Sequence, residues 1–281
     1  MKPYQVVEKK TTLHPEEEKM PLARYFYEYP LYGPNPLDMQ VINSNPMDPK
    51  DAIPAEHFLD FLKPTGYEKI EQGFCMMPDG SGYIATYRVL PAHITADMER
   101  WYRRWRNLKS KSMIPGHGNL RYKIWQQADH LEHFYLNWID ARDGIYTEES
   151  LDLGEGDRPF VSIRLEEDVR LFGMSQERLD ELEAAGCRFN GKLTHETFDE
   201  PGSHVCLSYS RKLPNGQVET KSREWIGWRP LDGKLVRDER TFCTEEYLRK
   251  IVIHNCIEWP HLYTILPDLY AEYHEQPMDA D

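Results

Sequence analysis

The stretch IVIHNCIEWPHLY, residues 251–263, sets three ionisable side chains, His254, Glu258 and His261, into an otherwise largely apolar run. Positions four and seven residues on from the first share its face in a helix. The three therefore form either a solvated edge or a site. A histidine and a glutamate at i and i+4 have the spacing of metal ligands on one helical face. The same pair is more commonly a surface hydrogen bond, so spacing alone leaves both readings open. With Leu248 at zero and about 100° per residue, Leu248, Ile251, Val252, Asn255, Trp259, Leu262, Leu266 and Leu269 share an arc of roughly 100°. His254 and Glu258 border that stripe, and His261 lies further round, toward solvent. A carboxylate at the border is half-desolvated and needs a partner, and a metal cation is one. Pro260 removes one backbone hydrogen bond from the helix and is a candidate kink.

A second group lies in RYKIWQQADHLEHFYLNW. His130 and His133 stand beside Asp129 and Glu132, among Tyr122, Trp125, Phe134, Tyr135 and Trp138. Polar groups set among aromatics suggest a pocket wall; the competing reading is the edge of a strand or helix with a satisfied histidine. A third segment, YTEESLDLGEGDRP, is acidic and reads as a solvated loop from which one acid could complete a metal site.

The elements that must position these residues follow from local signals. GSGYIATYRVLP follows a turn at Asp79-Gly80 and reads as a strand. Thr95 is placed to cap a helix through ITADMERWYRRWRN, with Met98, Trp101 and Trp105 on one face. FVSIRLEED alternates with period two. SQERLDELEAAG reads as a short helix from a Ser175 N-cap to a Gly186 C-cap, burying Leu179 and Leu182. Asn215-Gly216 marks the turn of a hairpin. A last helix is predicted from Thr244 to about Tyr273. Several antiparallel strands followed by one long helix define an α+β fold, and the helix can bury its stripe only against the sheet. A curved sheet gripping a helix leaves room for a small, mostly apolar ligand.

A chain of 281 residues with net charge −13 suits one large domain or two small ones and disfavours nucleic acid as the main partner. Five scattered cysteines with no CxxC pair point to a reducing compartment. The charged N-terminus has no apolar core, so no secretory signal is expected; no window approaches the apolar length of a membrane span, and the cytoplasm is the default location. Residues 1–65 are read as a proline-rich arm or small lobe that wraps a neighbour or dimerises, and residues 66–281 as the main domain.

Four stretches carry a resemblance: MPDGSGYIATYRVLPAHITADMERWYRRWRN, RYKIWQQADH, RLFGMSQERLDELEAAGC and HNCIEW with LPDLYAEY. In this order, between Gly66 and Tyr273, they resemble the 2,4-diacetylphloroglucinol hydrolase family, which includes phloretin hydrolases. The resemblance implies a helix-grip fold like that of pollen-allergen and START-type proteins, preceded by a small N-terminal part. It also implies a zinc ion (Zn2+), hydrolysis of the carbon–carbon bond between an acyl group and a phloroglucinol-type ring, a small aromatic ketone as substrate, and a homodimer. Carried over residue by residue, the metal ligands are His130, His254, Glu258 and one further acid. Counting back from FVSIRL puts that acid at Asp152, and a small gap moves it to Glu148 or Glu149; Glu149 and Asp152 are favoured. Tyr122, His133 and His204 correspond to residues that contact the phenol. The chain departs from the family where His133 replaces an asparagine and where Trp125-Gln126-Gln127 replaces WHP, which marks a divergent member whose substrate can differ. Two other readings of the same residues are a non-haem iron enzyme and a metal-free helix-grip protein that only binds a small ligand.

Overall fold

The computed structural model describes residues 10–114, 116–135, 145–151, 160–167, 169–197, 203–241 and 243–279. In chain order its elements are α1 (Arg24–Tyr27), α2 (Pro36–Asn43), β1 (Gly73–Met76), β2 (Gly82–Val89), α3 (Ala96–Asn107), β3 (Met113–Ile114), β4 (Gly118–Asn119), α4 (Leu120–Lys123), β5 (His130–Tyr135), β6 (Ile145–Glu149), β7 (Phe160–Glu167), α5 (Gln176–Ala184), β8 (Cys187–Thr197), β9 (His204–Lys212), β10 (Val218–Ile226), β11 (Trp228–Leu231), β12 (Lys234–Arg237) and α6 (Glu245–Tyr273). The fold is mixed helix and antiparallel sheet with a long C-terminal helix. No helix among the described residues is long and apolar enough to cross a membrane.

The chain divides into two compact units, each assembled from separate stretches. One comprises Met1–Asn43, Pro91–Ile163 and Ile253–Asp281; the other comprises Ser44–Leu90 and Arg164–Val252. Residues 44–65 of the proline-rich stretch thus fold with the second unit.

The second unit is a sheet in the order β1, β2, β10, β9, β8. Its centre is the hairpin at Asn215-Gly216, where Gly216 takes a φ of 88° and Ser222 faces Ser208 across the ladder. A φ in that region is open to glycine without steric cost, so the turn can close. Val205, Leu207, Tyr209 and Trp225 alternate onto one buried face and meet Phe58, Phe61 and Phe172. Ser175 caps α5 through its side chain, and Leu182 is its buried residue. Thr244 Oγ1 accepts the amide of Tyr247 at 3.1 Å and starts α6 where the sequence places it. The first turns of α6 come so close to β2 that a Cβ on Gly82 would lie 2.7 Å from a Leu248 methyl.

The first unit is built round α3, the segment from α4 to β6, and the later turns of α6. Thr95 Oγ1 accepts the amide of Met98 at 3.2 Å, and α3 follows. Trp101 stacks on Trp105, and Trp105 meets Tyr273. The arm before α2 packs within this same unit. Arg24 and Tyr25 pair with Glu272, Tyr29 donates to Asp268, and the backbone and hydroxyl of Thr11 both bond the Gln127 carbonyl. Lys123 and Glu17, both buried, form an ion pair at 2.7 Å.

α6 spans Glu245–Tyr273, as its sequence reading has it, and runs through Pro260 and Pro267. It differs from that reading in one respect, keeping no wet face along its middle: Cys256, Ile257, His261, Leu262, Tyr263 and Ile265 are all buried. His261, expected toward solvent, has no exposed surface, because the arm closes over it and Tyr32 donates its amide to Nδ1 at 3.4 Å. Burial lowers its pKa to about 4, so it is a neutral packing residue.

Candidate metal centre

All the elements needed for a site lie within the first unit. α4 and the tight turns after it deliver Asp129 and His130 to the start of β5; the amide of His130 bonds the Gln126 carbonyl at 2.9 Å. β5 pairs with β6 so that His130 stands opposite Glu149 and His133 opposite Thr147. In a regular strand, residues three apart point to opposite faces. Here the register shifts between His130 and Glu132, and such a bulge reverses the alternation. Both rings consequently reach Tyr122, which stacks on His130 with centroids 3.7 Å apart and on His133 at 4.6 Å.

α6 brings His254 and Glu258 to the same place. The Nε2 atoms of His130 and His254 each lie 3.6 Å from Glu258 Oε2. Ligand atoms from the three residues lie within 4.8 Å of one another, and all three side chains are buried. A tetrahedral ion with bonds of about 2.0–2.2 Å separates its ligands by about 3.3–3.6 Å, so the two 3.6 Å spacings to Glu258 Oε2 suit an ion better than direct hydrogen bonds. His130 Nε2 is buried and has no hydrogen-bond partner among the described residues.

The far side of each ring is held. His130 Nδ1 lies 3.1 Å from the Tyr122 carbonyl, which accepts a hydrogen bond from its N–H and leaves the Nε2 lone pair free for a cation. His254 Nδ1 is bonded by Asp129, which has no exposed surface. Ligand histidines usually donate their second N–H to a carbonyl or carboxylate in this way. Burial and the neighbouring His254 hold His130 well below its ordinary pKa, so it stays neutral. Burial opposes charge on His254 also, but Asp129 and Glu149 outweigh it and raise that ring to about 10. The carboxylates that favour positive charge on His254 would equally favour a bound cation. By donor type, spacing and charge, His130, His254 and Glu258 could hold a metal ion.

The other candidates fall as follows. Glu149 is buried and accepts a hydrogen bond from the Tyr122 hydroxyl, and its charge reaches both histidines. Glu148, on the same strand, accepts instead from Tyr146, at 3.0 Å. Asp152 lies outside the described residues. His133 is buried, with Nδ1 3.1 Å from Thr147 Oγ1. His204 stands on β9 in the second unit, bonded at 2.6 Å to Glu224. Sequence reading noted Asp129 only as a neighbour of His130; its partner is 125 residues away, a pairing that spacing cannot reveal. Trp125, whose indole N–H donates to the Glu258 carbonyl at 3.0 Å and whose ring meets His130, was visible only as one aromatic among several.

Fold and site define an α+β protein with a buried group of two histidines and a carboxylate able to hold a metal. The chain belongs to the family described as the DAPG hydrolase PhiG domain, whose model matches residues 53–271. It is similar to phloretin hydrolase of Eubacterium ramulus, 24% identical over 273 residues that cover 92% of each chain. It is also similar to the 2,4-diacetylphloroglucinol hydrolase of Pseudomonas protegens, 21% identical over 277 residues that cover 90% of this chain and 84% of the other. A 2,4-diacetylphloroglucinol hydrolase of a Pseudomonas species is 21% identical over the same length, covering 90% and 88%. All three relatives are named as hydrolases.

Proposed function

We propose that the protein is a zinc-dependent hydrolase that cleaves the carbon–carbon bond between an acyl group and a phenolic ring of the phloroglucinol type. The observation that carries this reading is the convergence of His130, His254 and Glu258, each histidine held from behind, in a chain whose relatives are named for such substrates. Glu149 is the fourth ligand in this reading, with Asp152 as the other candidate. When bound, zinc supplies Lewis-acid polarisation of a carbonyl and a water of lowered pKa.

The chain's own residues do the rest. Asp129 and the Tyr122 carbonyl orient the two imidazoles. Water adds its oxygen to the acyl carbon, the acyl–ring bond breaks, and the ring carbon takes a proton. The products are a carboxylic acid and a deacylated phenol. Tyr122 and His133 hydrogen-bond the ring hydroxyls and spread the charge that the leaving ring carries, and a histidine delivers the proton. The helix-grip arrangement, a homodimer and a cytoplasmic location belong to the same reading.

Two measurements test it together: zinc content of protein purified without added metal, and loss of absorbance from acylated phloroglucinols and phloretin. His254→Ala is expected to lose both stoichiometric zinc and turnover; a variant that keeps both removes the assignment. The two-histidine, one-carboxylate set also suits non-haem iron. Iron in the purified protein together with oxygen-dependent turnover would favour that reading, and the absence of any stoichiometric metal would favour a binding protein.

A further inference from the structure

Arg106 ends α3 with a buried, positively charged side chain, 8% exposed. Other buried arginines carry acceptors on their terminal nitrogens, although Arg223 Nε has none among the described residues. Arg121 Nη1 donates to the carbonyls of Trp105 and Met278, Arg211 pairs with Glu219, and Arg223 pairs with Glu71. Among the described residues Arg106 donates only Nε, to the neutral Asn107 Oδ1 at 3.3 Å, and its buried Nη1 has no hydrogen-bond partner. Among the described residues no carboxylate pairs with it. Its guanidinium lies instead over aromatic rings, 4.2 Å from the Trp125 centroid and 5.8 Å from that of Tyr102. Cation–π contact offsets part of the cost of burial but leaves the in-plane N–H groups unfilled.

The position matters as much as the vacancy. Trp125 is the wall shared by Arg106 and the metal group: its other contacts include the His130 ring at 4.8 Å, the Trp259 ring at 5.0 Å and the Glu258 carbonyl. A planar guanidinium with an unused terminal nitrogen matches a carboxylate better than any other common anion of that size. The surrounding indoles and Tyr102 favour a ligand whose body is aromatic or apolar.

We propose that Arg106 is the docking point for the carboxylate of an aromatic or aryl-alkyl acid bound beside the metal centre. The inference rests on the hydrolase reading for its biological source. That source is either the acid released when the acyl–ring bond is hydrolysed or a carboxylate carried by the ketone itself.

The experiment uses full-length protein as purified, with benzoate as the probe and benzamide as its neutral counterpart. Wild type is expected to bind benzoate at least tenfold more tightly than benzamide, as loss of one charged hydrogen bond implies. Arg106→Gln is expected to lose that preference, with benzamide affinity unchanged, and Arg106→Lys to keep part of it. Far-UV circular dichroism and thermal midpoints establish that both variants fold; if Arg106→Gln does not, the benzoate-to-benzamide ratio in wild type and in Arg106→Lys decides. Equal binding of the two probes by wild type, or an unchanged ratio in the variants, overturns the proposal.

Turnover separates the sources. If the carboxylate is the product's, the acid product inhibits wild type at least tenfold more strongly than Arg106→Gln. If the carboxylate is the substrate's, the ratio of kcat/KM for a carboxylated aryl ketone to that for its neutral analogue falls at least tenfold in Arg106→Gln. Charge-selective benzoate binding without turnover of any aryl ketone would retire the hydrolase reading and leave Arg106 as an acid-binding residue; turnover without charge-selective binding would do the reverse.

Discussion

At the scale of single residues, the site depends on what stands behind its ligands. Asp129 is wholly buried and spends one oxygen on His254 Nδ1. Replacing it by asparagine keeps the shape but removes the charge that fixes the imidazole's donor side. Asp129→Asn is expected to weaken zinc binding by about 10–100-fold, read by competition with a chromogenic chelator while the far-UV spectrum stays unchanged. Unaltered zinc affinity would mean that helix α6 alone orients His254. His261 makes the contrast. It sits on the same helix and is just as buried, yet its Nδ1 is used by a backbone amide and its charge is suppressed. Being a histidine on the right helix is not enough to be a ligand; the ring must face other donors.

At the scale of elements, the arm and the α4–β5 segment are locked together. Lys123 is tied to Glu17 and to the carbonyls of Thr12 and His117, while Gln127 holds the carbonyls of Tyr25 and Tyr29. The segment so gripped ends at Asp129 and His130. Removing one member of a buried ion pair leaves an uncompensated charge, at a cost of about 3–5 kcal/mol. Lys123→Met should therefore lower the urea unfolding free energy by about that amount, and adding Glu17→Gln should restore part of it. If the single variant unfolds like wild type, the arm's grip on this segment contributes little.

For the whole molecule, the metal donors come from widely separated parts of the chain, residue 130 on one side and residues 254 and 258 on the other. Such donors are not together in the unfolded chain, so metal binds the native state and stabilises it by mass action. At a free metal level of about 100 times Kd the gain is about 2.7 kcal/mol. In a chain of this size that corresponds to a thermal midpoint about 5 °C higher. Stripping the metal with a chelator should lower the midpoint by that margin and adding zinc should restore it; a midpoint that ignores both would count against a resident metal.

The sequence by itself determined what depends on neighbours along the chain. The caps at Thr95, Ser175 and Thr244, the turn at Gly216 and the spacing of His254 and Glu258 on one helical face all follow from backbone geometry over a few residues. Only the tertiary structure decided which faces are dry and which distant groups meet. Helical periodicity predicted a wet flank for α6, but burial is set by what packs against a face, and the arm covers His261. The i, i+3 spacing of His130 and His133 reads as opposite faces of a strand until the bulge between His130 and Glu132 turns both toward Tyr122. The bond from Asp129 to His254 joins residues whose only relation is the fold, and it helps make a histidine–glutamate pair on a helix a candidate metal centre.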